Sequence, residues 1–212
     1  RAQFRTGARN KGSKWSQHDY ASWCAVWLLY LVEFADWNSQ AKIGRGYVDG
    51  NNGALASGGT DSMTYHTGRA SGTDGQTAVQ YRHIENPWGN VFEWIDGVNF
   101  DGGTVYMCTD RTKYADDTAN GYTNIGAKSQ SDGWIKSIGI PAAAPWAFFP
   151  TATGGSETTY IPDYANYNSG WRVLPVGGNW VYVSYAGLFY FNAYYTSSHA
   201  YSYVGARLLF HP

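Results

Sequence analysis

The chain has 212 residues, 43% of them apolar, enough to build one sizeable hydrophobic core. Only 15% of residues are charged and the formal net charge is −1, which argues against nucleic-acid binding and against a polybasic membrane anchor. Aromatics at 17% with 26 glycines indicate short strands and irregular loops rather than a helical bundle.

Residues 1–15 carry Arg1, Arg5, Arg9, Lys11 and Lys14 and read as a polar segment running over the surface. The start at Arg1-Ala2-Gln3-Phe4, without an initiator Met, reads as the C-terminal piece of a longer polypeptide. Ser16 followed by Asp19 has capping-box spacing and predicts a helix from Ser16 to about Trp37. Tyr20, Trp23, Cys24, Trp27, Leu31, Phe34 and Ala35 share one face of it. Because Val26, Leu29 and Tyr30 are apolar as well, little of this helix is expected to meet water. Its apolar run, Trp23 to Val32, is too short to cross a bilayer. Two cysteines, Cys24 and Cys108, are too few for a disulfide scaffold and lack metal-ligand spacing; Cys24 reads as a buried free thiol.

Gly44-Arg45-Gly46 closes the helical region. From Asp49 to Asp74, with Asn51-Asn52-Gly53 and Gly58-Gly59-Thr60, the composition is that of a loop, and His66 stands there without a partner at ligand spacing. Thr77 to Asn86, apolar at Ala78, Tyr81 and Ile84, reads as a second short helix stopped by Asn86-Pro87. In Gly89-Asn90-Val91-Phe92-Glu93-Trp94-Ile95-Asp96-Gly97 the alternation predicts a strand. Glu93 and Asp96 read as hydrogen-bonded structural carboxylates in preference to calcium ligands. Val98 to Cys108 and Thr118 to Ile140 read as further strands and turns, and Pro141 to Gly170 as a long connection whose aromatic runs pack on them. With no fixed repeat and no internal linker, residues 1–212 form one expected domain.

The last forty residues differ in kind. Between Arg172 and Arg207 there is no Asp, Glu, Lys or Arg. A frame of Val176-Gly177-Gly178-Asn179-Trp180, Ser184, Ala186-Gly187-Leu188-Phe189, Ser197-Ser198 and Gly205-Ala206-Arg207-Leu208 alternates with Val181, Tyr182, Tyr185, Tyr194, Tyr195, His199, Tyr201 and Tyr203. Tyr among Ser and Gly offers rigid amphipathic contact area with adaptable backbone around it, as in an antibody paratope. Tyr at alternate positions is also what a half-buried strand shows.

The Gly-Gly-Asn-Trp start, the Ser-x-Ala-Gly-x-Phe centre and the Gly-Ala-Arg-Leu end resemble the variable region (here about residues 176–208) of proteins diversified by retroelements. Those are phage receptor-binding tail proteins and some bacterial surface proteins with a C-type-lectin fold. In that family the variable positions descend from Asn codons mutated only at adenines; Tyr, His and Val are all reachable from AAC in that way. Independently, Gly89 to Trp94 resembles the Gly-Asn-Val-Trp-Glu-Trp signature of the formylglycine-generating-enzyme branch of the same fold. The resemblance implies an α+β C-type-lectin fold: one long buried helix and a second short helix packed with short, mostly antiparallel strands. It implies ligand-binding positions at Val181, Tyr182, Tyr185, Tyr194, Tyr195, His199, Tyr201 and Tyr203, extended by Val183, Tyr190 and Asn192. Trp180, Leu188 and Phe189 join Trp23, Trp27, Leu31, Phe92 and Trp94 in the expected core, with Arg207 tying down the end. The implied partner is a bacterial cell-surface receptor, protein or glycan, met from a virion tail tip by a homotrimer; display on a bacterial surface is the alternative.

Other readings fare worse. Formylglycine-generating enzymes place paired cysteines in the segment equivalent to Gly178–Tyr195, where this chain has none. His18, His66, His83, His199 and His211 are scattered singly, and no nucleophile elbow, phosphate loop or His-Glu-x-x-His occurs. The calcium-coordinating motifs of sugar-binding lectins are absent too. The expectation is a non-enzymatic binding domain with no catalytic residue, no metal and no cofactor.

Overall fold

The computed structural model describes residues 1–50 and 52–212. Asn51, part of the expected Asn51-Asn52-Gly53 turn, lies outside them. The described chain runs α1 (Ala2–Arg9), β1 (Trp15–Gln17), α2 (Tyr20–Phe34), α3 (Ser39–Lys42), β2 (Thr67–Arg69), β3 (Val79–Tyr81), β4 (Ile84–Glu85), β5 (Phe92–Asp101) and β6 (Thr104–Met107). It continues through β7 (Thr123–Ala127), β8 (Gly133–Gly139), β9 (Phe149–Thr153), β10 (Ile161–Tyr167), β11 (Trp171–Val176), β12 (Phe191–Ala193), β13 (Val204–Gly205) and β14 (Leu208–Phe210). The architecture is α+β, dominated by one curled sheet in the order β7-β6-β5-β11-β12-β10-β8-β9, with β13 added in parallel to β5.

Strand β5 is the axis of the molecule. Every residue from Phe92 to Phe100 is buried, so it reads as a continuous interior strand rather than an alternating one. On its sides lie β6 and β11, both antiparallel. Helix α2 packs Tyr20, Trp23, Cys24, Val26, Trp27 and Tyr30 into the same core. Its start is fixed by a reciprocal cap in which the Ser22 amide donates to Asp19 Oδ1 (3.0 Å) and the Asp19 amide to Ser22 Oγ (3.3 Å). The helix therefore begins four residues later than expected, because Ser16 is taken by β1 and pairs with Leu209 of β14. It ends at Ala35, whose left-handed backbone (φ 48°) returns its N–H to the Leu31 carbonyl. The expectation that little of α2 meets water also fails. The helix covers only one side of the core, leaving Leu28, Leu29 and Val32 exposed and Leu31 half-buried.

Three other segments depart from expectation. Thr77–Asn86 is not a helix but the β3–β4 hairpin, turned at Arg82 and His83, both with positive φ. Tyr81 is buried at that hairpin and donates its hydroxyl to Glu33 (3.0 Å), a tertiary tie that overrides the local helical pattern. The turn also brings His83 against His66, ring centroids 3.6 Å apart, so His66 is not solitary. The connection 141–170 contributes two strands, β9 and β10, to the main sheet.

The N-terminal segment is the largest correction, for α1 is docked rather than loose. Arg5 makes a two-pronged pair with Asp96 (2.6 and 2.8 Å), and Arg1 donates to the Ile95 and Val98 carbonyls at 2.9 and 2.7 Å. Both also engage Asp116. Asp96 is wholly buried, which is tolerable only because two guanidiniums neutralise it and satisfy its oxygens. The arginines were unreadable as core because the carboxylates that receive them lie about ninety residues or more away.

Of the expected core, Trp23, Trp27, Phe92, Trp94, Leu188 and Phe189 are buried, whereas Trp180 is only half-buried. Trp180 is held by its backbone, donating to Asn90 O (3.0 Å) and accepting from Gly50, while its ring meets Tyr203 edge-on at 6.3 Å. Trp94→Ala should therefore cost about 3–5 kcal/mol, and Trp180→Ala only about 1–2 kcal/mol, in proportion to the smaller area it buries. Urea unfolding of the two variants side by side checks the ranking. His18 supplies a second expectation. Burial, then the Arg207 charge, push its imidazole down from 6.5 to about 4, against a weaker pull from Asp19. The folded state thus binds fewer protons than the unfolded one between these values. Stability should fall as pH drops from about 6.5 to about 4, by at most about 1.4 kcal/mol per pH unit from this group. Unfolding midpoints measured across that range should lose this slope in His18→Gln.

Candidate binding surface

The C-terminal region is built from a buried frame and an outward set of rings. Gly177 and Gly178 turn the chain with φ of 83° and 78°. A Cβ on Gly178 would lie 2.6 Å from Ala186 Cβ, so the close return of the chain there requires glycine. Asn179, itself buried, accepts from the Val181 amide at 3.1 Å and, through its carbonyl, from the Tyr182 amide at 3.1 Å, just ahead of a 3₁₀ turn over Val183–Tyr185. Val183 sits at φ 48°, its side chain exposed.

After the turn the chain dives inward. The Asp163 carboxylate, fully buried on β10, accepts the Phe189 amide at 2.6 Å. It lies so close to Gly187 that an added Cβ would sit 2.2 Å from Oδ1. Burial raises the Asp163 pKa well above the usual carboxylate range, against the backbone N–H groups of Phe189 and Tyr190, which favour the charged form. Phe189 then packs edge-on against Trp27 (4.9 Å), Tyr30 (5.6 Å) and Trp37 (4.9 Å). Strand β12 wedges between β10 and β11. At the far end Arg207 donates Nε to Glu93 (2.6 Å) and Nη2 to the Asn86 carbonyl (2.8 Å) and to that of Glu85. Glu93 is buried on β5, and burial raises its pKa against the lowering influence of Arg207.

Between these anchors Val181, Val183, Tyr185, Tyr194 and Tyr201 are exposed, and Tyr182, Tyr195, His199 and Tyr203 are half-buried. Tyr190 and Asn192 are not surface positions. Both are buried, linked by a bond from Asn192 Nδ2 to the Tyr190 hydroxyl (2.7 Å), which in turn donates to Asn166 (2.7 Å). They belong to the frame with Phe191, because all three fall where β12 enters the sheet.

The aromatic residues are joined by ring contacts. Phe92 at the start of β5 is the hub, touching Tyr182 (4.9 Å), Tyr195 (5.8 Å) and Tyr203 (6.0 Å). From Tyr195 the series passes to Tyr194 (5.5 Å) and to His199 (3.9 Å), then to Tyr201 (4.2 Å) and Tyr203 (5.0 Å). From Tyr182 it passes to Tyr185 at 6.5 Å. Two residues that sequence reasoning missed extend it. Trp134 of β8 meets Tyr185 edge-on at 5.1 Å, and Tyr164 of β10 stacks on it at 4.4 Å. Strand periodicity around Tyr164 was the available signal; nothing local linked either residue to Tyr185. Val181 and Val183 enter no ring contact.

Electrostatically the surface is quiet. Burial lowers the His199 pKa, favouring the neutral ring, and burial followed by neighbouring tyrosines pushes Tyr203 up to about 12. Among the described residues no three His, Cys, Asp or Glu side chains come together as a metal-binding group. Cys24 and Cys108 are free and buried, Cys24 within α2 and Cys108 just past the end of β6, and burial lifts the Cys24 thiol to about 12. Such a surface can bind by stacking, apolar contact and hydroxyl hydrogen bonds, without ionic attraction of its own.

The division between frame and rings has a measurable consequence. Gly187→Ala must displace a buried carboxylate and should destabilise by about 1–3 kcal/mol. Tyr201→Ser, at a side chain 58% exposed, should stay within about 0.5 kcal/mol. Thermal melting of both variants tests the contrast. A scan against protein-family models gives no match, and neither does a search of curated proteins.

Proposed function

We propose that the chain is a non-enzymatic ligand-binding domain, a C-type-lectin fold of the formylglycine-generating-enzyme-like branch, with a retroelement-diversified C-terminal surface. In this reading it attaches a phage or prophage tail tip to a receptor on a bacterial cell. The observation that carries the proposal is the segregation just described. Residues of the recurrent frame, such as Gly178, Gly187, Leu188, Phe189 and Arg207, are locked by sterics, burial or an ion pair. The intervening Tyr and His side chains lie outside that lock and form one connected aromatic series. A site whose residues change between lineages must leave folding to other residues, and this arrangement meets that requirement. A half-buried strand would instead use its tyrosines to hold the fold.

The test uses the three most exposed rings of the set, 44–58% accessible. Tyr185, Tyr194 and Tyr201 replaced together by Ser should leave the melting transition within a few degrees of the parent. Fluorescently labelled parent domain should stain intact cells of at least one strain in a bacterial panel, and the triple variant should lose that staining. An exposed aromatic anchor is worth about 2 kcal/mol or more of binding in an interface centre, so losing three removes detectable attachment. Collapse of folding in the triple variant, or undiminished staining, would sink the proposal for these positions.

A further inference from the structure

A second site lies away from the aromatic surface. Eight of the fifteen Lys and Arg residues pair with a carboxylate within 4.0 Å, among the described residues. Of the seven that do not, four (Arg9, Lys11, Lys14 and Arg111) gather in one place. There the end of α1, the segment leading into β1, and the turn beginning at Arg111 enclose a cleft of about 360 Å³. Arg9 and Arg111 both line it, brought together by a bond from Arg9 Nη2 to the Arg111 carbonyl (2.8 Å). Trp15 and Tyr114 form apolar parts of its wall; Ser13 brings a hydroxyl, while those of Ser16 and Thr112 are bonded to His211 and Asp110. Lys11 lies over the Trp15 ring at 5.6 Å, and Lys14 over Phe210, which packs on Trp15.

The carboxylates nearby are already committed. Asp96 is held by Arg5 and Arg1, and Asp110 by Lys113 and the Thr112 hydroxyl. Helix polarity accounts for Arg9 at the C-terminal turn of α1. It does not account for Arg111, which comes from a different element, is half-buried and makes no side-chain hydrogen bond or ion pair among the described residues. Two arginines line a cleft whose one acid, Asp96, is already held by Arg5 and Arg1, and this leaves a local positive field that a ligand can neutralise.

We propose that this cleft binds a phosphate monoester, its oxyanion between Arg9 and Arg111 and its organic group against Trp15. Two unpaired guanidiniums, with Lys11 and Lys14 adjacent, match a dianion better than a single carboxylate. The cavity is larger than the phosphate alone requires. The site is independent of the aromatic surface, and its failure leaves that surface untouched.

Isothermal titration at low ionic strength, with inorganic phosphate, glycerol 3-phosphate and phosphatidic acid vesicles as separate probes, tests it. Saturable binding of glycerol 3-phosphate, tighter than inorganic phosphate and weakened on the order of tenfold or more in Arg9→Gln/Arg111→Gln, is the expected result. Binding of inorganic phosphate alone would remove the organic half of the proposal, and binding to vesicles alone would redirect it to a membrane surface. No saturable heat with any probe, or equal affinity in the double variant, would overturn it. Both arginines lie away from the core, so the double variant should melt with the parent. Should it not, Lys11→Gln/Lys14→Gln must reproduce a weaker loss of affinity for the proposal to stand.

Discussion

Two carboxylates on one buried strand hold the two ends of this chain. Glu93 and Asp96, three residues apart on β5, each receive an arginine from far away in sequence: Arg207 from the C-terminal frame and Arg5 from α1. A charge buried alone is expensive, so neither carboxylate is tolerable until its arginine arrives. Once it does, the guanidinium's remaining donors go to backbone carbonyls or to another carboxylate, and little polar capacity is wasted. The strand that centres the core is thereby also the clasp for its periphery.

The aromatic surface depends on that clasp. Phe92 begins the same strand and gives Tyr182, Tyr195 and Tyr203 a common support. Arg207 fixes the return of the chain beside it, and Asp163 fixes the descent through Gly187 to Phe189. The rings between are thus held by their neighbours' backbone and, for the half-buried Tyr182, Tyr195 and Tyr203, by packing on Phe92. Their neutrality follows from composition, since a stretch without acids or bases has only ring edges, hydroxyls and one imidazole to present.

Much of this was legible in the sequence where the signal was local. The strand within Gly89–Gly97 announced itself by alternating large residues, though it runs on to Asp101; the principal helix showed itself by its apolar run, and the frame glycines by the motifs that carry the resemblance. What stayed hidden was set by distant partners. Arg1 and Arg5 looked like surface charges because nothing near them in sequence marks Asp96 and Asp116 as their destination. Tyr190 and Asn192 looked interchangeable with their neighbours, and only the insertion of β12 between β10 and β11 makes them interior. Trp134 and Tyr164 reach the aromatic series through sheet order, which no short-range pattern encodes. The Thr77–Asn86 hairpin was misread because its apolar spacing suits either period over so few residues.

Val183 shows that exposure and freedom of substitution are different properties. Its side chain stands in solvent, yet its backbone is held at φ 48°, a region that crowds a β-branched Cβ and costs about 1–2 kcal/mol for most side chains. Asn and Gly enter that region with less strain. Substitutions at this place are therefore ranked first by the main chain, and a valine there draws on stability stored elsewhere in the fold. The aromatic surface thus has a grain: at Val183 the backbone geometry constrains the side chain, while at the other exposed positions of the set it does not.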